Sequence, residues 1–295
     1  MEDLKIYGIY EAAYSIWNML MDIAMTLFTT SPMDASGGAL YETVHTLFTS
    51  IADISTLLCT LFFLYSVIKT IDVSPPEQVT ERLKMEFVKF AVVVAVVLNL
   101  WTLLGGIMQI TDGITSKFAA EDYHMEISGS LETVLTQLDD SFPEWEGITE
   151  IGTWFKSMKG YLGNYGLCFI GGLSTLIIVI GASISIISCG FQRIIKPLVS
   201  IPFATVTVSM ASGSPEEQRV AYNYVKSFIG LCLAGAMMVV CINLGATLAS
   251  DLIAFNEDEL DLTQAVIYIS VQNMVSPIVI AGLVKCAEGI LNRWF

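Results

Sequence analysis

The chain has 295 residues, of which 54% are hydrophobic and 15% charged, with a formal net charge of −15. That composition excludes an ordinary soluble domain and fits an all-α, polytopic helical membrane protein. The acidity also excludes a nonspecific nucleic-acid-binding surface, which requires many phosphate-neutralising cations.

The first element predicted in chain order covers residues 6–27. Ile6, Tyr10, Ala13, Trp17, Leu20, Ala24 and Leu27 recur at helical spacing. Glu11, Ser15, Asn18 and Asp22 form a polar stripe beside them. Two readings stay open: an amphipathic helix on the outer membrane surface or against the bundle, or a sixth span whose carboxylates Glu11 and Asp22 line a wet channel. No short basic region precedes this segment, so it is expected to be retained rather than cleaved.

Five apolar runs follow, at 55–71, 90–110, 167–189, 228–250 and 264–284. Each approaches the roughly 20 residues needed to cross a hydrocarbon core. The first two make a hairpin closed by a turn in which Pro75 and Pro76 stop the helix. In the second run Asn99 is expected to bond a neighbouring helix, and Val93 to face lipid. Residues 119–163 read as an external acidic loop, with a short helix at Leu131, Val134, Leu135 and Leu138, then the breaker DDSFPEWEG. Trp154, Phe155, Tyr161 and Tyr165 among Lys156 and Lys159 suit the headgroup layer. This loop is either a docking surface for an extracytoplasmic partner or a plain solvated connection.

The third run carries Gly171, Gly172, and Gly181 with Ser185. The fourth carries Gly230 with Ala234, and Ala246 with Ser250. Small residues at this spacing let helices approach closely, either within one subunit or between subunits of a homo-oligomer. In the last run Gln272, Asn273 and Pro277 cluster, either to satisfy a kinked backbone or to give a conduit a polar lining. The six cysteines lie in or beside these runs without a metal-type spacing, and read as small packing residues. The predicted organisation is therefore an external amphipathic segment at 1–50, a first transmembrane hairpin at 51–118, the external loop at 119–163 and a transmembrane core at 164–295.

Charge orients these spans. With the N-terminus outside and the C-terminus inside, 10 of the 14 cations and 7 of the 29 acids fall on the cytoplasmic side of the cell membrane. Lysine and arginine favour that side near span ends, so five spans satisfy the bias at every gap.

The segment after the third run is distinctive. Pro197 to Met210 is apolar but only 14 residues long, with Arg193 and Lys196 before it and Arg219 and Lys226 after it. Pro197 and Pro202 interrupt it, which predicts a broken, re-entrant or interfacial element at 193–215. An arginine ending a span, the proline-bearing run IPFAT (Ile201 to Thr205), a polar turn, the aromatic–basic start YNYVKSF (Tyr222 to Phe228) and a Gly/Ala-rich span then follow in order. This order resembles the VirB6/TrbL family of conjugative type IV secretion systems, in its Gram-positive versions, over about 60 residues. The turn SMASGSPEEQ departs from the family's tryptophan or acidic turn.

The resemblance implies a non-enzymatic membrane scaffold that assembles as a homo-oligomeric ring in the lipid bilayer. Its implied partners are a VirB4-like ATPase and VirB8-like and VirB3-like proteins, with DNA present only as transported substrate. Arg193, Lys196, Pro197 and Pro202 would shape the cytoplasmic half of the core, and the glycine-bearing spans would pack between subunits. The residues agree with a non-enzyme: His45 and His124 read as isolated loop histidines, and metalloprotease, nucleophile-elbow and phosphate-loop patterns are absent. No catalytic residue, metal ligand or cofactor is expected. The main rival is a self-sufficient solute transporter or ion channel, which would pair broken helices in two internal repeats. Only one such element is evident.

Overall fold

The computed structural model describes residues 6–31, 33, 38–75, 77–119, 124–125, 129–144, 151–252 and 261–294. Pro76, the 145–147 end of the acidic breaker and the side chain of Ser250 lie outside the described residues. Eight α-helices account for nearly all of the described chain: α1 (Ile6–Thr29), α2 (Ala39–Val73), α3 (Val79–Leu98), α4 (Leu100–Phe118), α5 (Gly129–Asp140), α6 (Ile151–Ser209), α7 (Pro215–Leu252) and α8 (Leu262–Trp294). A single 3₁₀ turn, Met210–Ser212, separates α6 from α7. Among the described residues there is no strand.

The protein is thus an all-α, polytopic helical membrane protein. α2, α6, α7 and α8 are each long and apolar enough to cross a bilayer, and α3 with α4 passes the same test only as a pair. That pair is bent by 66°. α1 is not among the candidate spans. Its apolar stripe is buried instead, through Ile6, Tyr10, Ala13, Trp17, Met21, Ala24 and Phe28. An amphipathic helix packed against other helices is therefore the reading that fits. Gly38, with φ of 64°, supplies the left-handed backbone just before α2.

The break in the spans is displaced from where the prolines suggested it. α6 runs unbroken through Pro197 and Pro202. Proline is tolerated inside membrane helices that are packed among neighbours, and both prolines are buried here. Each ring frees the carbonyl four residues back, those of Arg193 and Leu198, while the hydroxyls of Ser200 and Thr205 bond other carbonyls of the stretch, those of Pro197 and Pro202, at 2.8 and 3.2 Å. Tyr224 of α7 donates to the Ser200 carbonyl at 2.9 Å. The break sits at Asn99 instead. Its side-chain amide donates to the Ala95 carbonyl at 2.8 Å, while its own N–H is shared among the preceding carbonyls. Asparagine competes with the helix backbone in this way and ends the turn.

The chain divides into two compact units. The first comprises Met1–Thr26, Ala120–Cys189 and Met238–Cys286. Its apolar cluster joins Ile6 and Tyr10 of α1, Cys168 of α6, and Ala265, Val266 and Ile269 of α8 to the whole inward face of α5. Leu131, Val134, Leu135 and Leu138 are all buried there. The short helix in the acidic loop thus spends its apolar face on its own unit, not on a docking surface. α7 and α8 approach so closely that a Cβ on Gly245 would lie 3.3 Å from the Ile280 backbone.

The second unit comprises Leu27–Ala119, Gly190–Met237 and Ala287–Phe295. Its cluster takes residues from five helices, including Phe48 and Cys59 of α2, Val97 of α3, Leu104 of α4, Ile201 of α6 and Phe228 of α7. Val93 belongs to that cluster and is buried, not lipid-facing. α2 and α6 leave between them an apolar groove of about 230 Å³, lined in part by Val44, Leu47, Leu198, Pro202 and Phe203. His45 lies on α2 rather than in a loop, its ring edge-on to Trp101 at 4.7 Å.

Candidate functional site

The most developed polar construction in the second unit centres on Arg193. It lies on α6 and is buried, as is Asp112 on α4. One guanidinium nitrogen, Nη2, donates to the Asp112 carboxylate. The other, Nη1, donates to the carbonyls of Leu27 and Thr30 at 3.1 and 3.3 Å. Those two carbonyls close the C-terminus of α1, where helix carbonyls lack intrahelical partners and the helix dipole is negative. The arginine therefore caps one helix, neutralises an acid on a second and is rooted in a third. α7 completes the enclosure: a Cβ on Gly235 would lie 2.6 Å from the guanidinium carbon, so any larger residue there must displace the guanidinium. A buried charge is tolerable only when paired and hydrogen-bonded in this manner. One carboxylate oxygen of Asp112, Oδ2, has no protein partner.

The turn after α6 is held with similar care. Ser212 donates to the Cys59 carbonyl at 2.9 Å, and Lys89 of α3 donates to the Gly213 carbonyl at 2.7 Å while pairing with Glu86 at 2.6 Å. The Glu217 carboxylate accepts the Ser214 N–H, and Pro215 occupies the first position of α7. Ser–Pro–Glu–Glu is thereby one arm of a capping box, with proline where the missing N–H costs nothing. The SMASGSPEEQ turn has a structural role as a helix start. Lys196 is half-buried, and Pro197 and Pro202 are buried on α6.

In the first unit Gly171 and Gly172 of α6 and Asn273 and Pro277 of α8 fall on buried faces. Gly171 and Gly172 are buried and admit Tyr10. A Cβ on Gly171 would come within 2.8 Å of the Ser270 Cβ, and one on Gly172 within 3.2 Å of the Tyr10 ring. The Tyr10 hydroxyl donates to the Cys168 carbonyl at 3.3 Å and lies 3.4 Å from the Ser270 hydroxyl. One turn along, Tyr14 donates to Asn273 Oδ1 at 2.7 Å. Gln272 is half-buried and Pro277 buried inside α8.

Glu11 and Asp22 lie on the exposed side of α1, so they do not line the interior of this unit. Asp22 pairs with His124 at 3.0 Å, and the Asn18 side chain bonds both the N–H and the carbonyl of Met125. The polar stripe thus clasps a loop. Gly181 is exposed with open space around it, and Ser185 is half-buried. In the second unit Gly230 and Ala234 are buried.

Sequence reasoning missed Asp112, Gly235, Tyr14 and Ser183. Asp112 stands two residues past an apolar run, where it reads as an ordinary external acid. Among the described residues no group of three His, Cys, Asp or Glu side chains could hold a metal ion. No family model matches the chain, and no curated protein or solved structure matches it.

Proposed function

We propose that the protein is a non-enzymatic channel or scaffold subunit of a conjugative type IV secretion system. It would support passage of DNA or a DNA–protein substrate across the cell membrane as part of a homo-oligomer. What supports this reading is that the segment carrying the VirB6/TrbL resemblance is also the one on which the second unit is organised. Arg193 ties α1, α4 and α6 together, and the Ile201–Thr205 run supplies Ile201, Ala204 and Thr205 to its interior. Such an arrangement has the character of a framework. The partners in this proposal are a VirB4-like ATPase and VirB8-like and VirB3-like proteins. The N-terminus lies outside, the C-terminus lies inside, and the positive bias faces the cytoplasm.

The experiment is a mating assay with donor cells that lack the chain. DNA transfer is expected to fall to background and to return when the chain is supplied in trans. Undiminished transfer in its absence contradicts the proposal.

A second reading, a solute transporter or ion channel, is favoured by the buried polar groups of the first unit. It predicts a monomer that binds a small solute and whose loss leaves transfer intact.

A further inference from the structure

Among the described residues of the first unit, Trp17 Nε1 on α1, Ser183 Oγ on α6 and Asn273 Nδ2 on α8 are buried polar atoms with no protein partner. Trp17 is 1% exposed, Ser183 0% and Asn273 8%. A buried donor left unbonded keeps its full desolvation cost, and native interiors leave few of them. Three on the facing surfaces of three helices is therefore not an incidental packing defect.

Their surroundings are polar as well. Tyr10, Ser270, Tyr14 and Asn273 already form hydrogen bonds along the same faces, and Thr175 and Ser276 lie buried on them. Asn273 faces α1, because its Oδ1 accepts from Tyr14. Trp17 is three residues beyond Tyr14, the helical spacing that places two side chains on one face. Two of the three unpaired atoms can only donate, so what completes them must accept. The groups named carry no formal charge, which selects a neutral acceptor over an ion.

We propose that this seam between α1, α6 and α8 is a water-binding site: internal water accepts from Trp17 and Asn273 and continues along the inward face of α6 to Ser183. The site goes beyond the secretion reading and does not depend on it. Internal waters of this kind each satisfy two to four otherwise unpaired polar groups.

Hydroxyl-radical footprinting of the intact chain in mild detergent tests this, since radicals formed from bound water label the side chains beside it. After normalising for intrinsic reactivity, Trp17 is expected to label roughly threefold or more above Phe228, which is equally buried in the apolar cluster of the second unit. In Asn273→Leu, labelling of Trp17 should drop toward the Phe228 level. Wild-type labelling of Trp17 no higher than Phe228 overturns the proposal, as does unchanged Trp17 labelling in a folded Asn273→Leu. Should that variant not fold, the wild-type comparison decides alone.

Discussion

Arg193 satisfies three requirements with one side chain, and each fails differently. Removing the guanidinium leaves the Asp112 carboxyl buried without its partner, together with two uncapped carbonyls at the end of α1. Arg193→Met should therefore destabilise by about 3–5 kcal/mol, the range for one broken partner of a buried pair. Arg193→Met combined with Asp112→Leu should recover part of that loss, because the uncompensated carboxylate goes too. Denaturation midpoints of the purified variants in detergent check the order. Equal midpoints for the single and double variants would show that the pair is not coupled. Gly235→Ala tests the enclosure: it should lower the midpoint nearly as far as Arg193→Met, since a Cβ meets the guanidinium. Arg193 was legible in the sequence because it ends an apolar run. Asp112 and Gly235 were not, because only the packing of α4 and α7 against α6 brings them to the arginine.

At the scale of elements, two prolines failed to break a helix and one asparagine succeeded. Packing of α6 among its neighbours, with Tyr224 of α7 bonded to the Ser200 carbonyl, holds the buried proline region, whereas Asn99 supplies its own competing hydrogen bond. Residue type alone ranked these positions in the reverse order, since the packing that holds the prolines comes from neighbouring helices. Asn99→Leu should open the 66° bend. Spin labels at Met85 and Ile110, both well exposed on α3 and α4, would then move apart, whereas an unchanged distance would locate the cause of the bend elsewhere. The capping box makes a smaller prediction. Glu217→Ala, which removes the acceptor of the Ser214 N–H, should cost about 0.5–2 kcal/mol, read as a lowered unfolding midpoint.

At the scale of the whole molecule, the apolar runs and their lengths made the fold class legible, because a bilayer imposes a length and a polarity that composition records directly. The five predicted runs fall in α2, the bent α3–α4 pair, α6, α7 and α8. The polar seam of the first unit was visible only in part, through Asn273 and the aromatic stripe of α1. The orientation proposed from charge predicts that a cysteine introduced within 119–163 reacts with impermeant thiol reagents on intact cells and that one within 77–86 does not. Reaction at 77–86 alone would invert the map.

The most direct measurement is the mass and composition of the intact chain released from its own membranes in mild detergent, by native mass spectrometry. A scaffold subunit emerges as a multimer that retains an ATPase. A monomer without protein partners, carrying a bound small solute, would contradict the account.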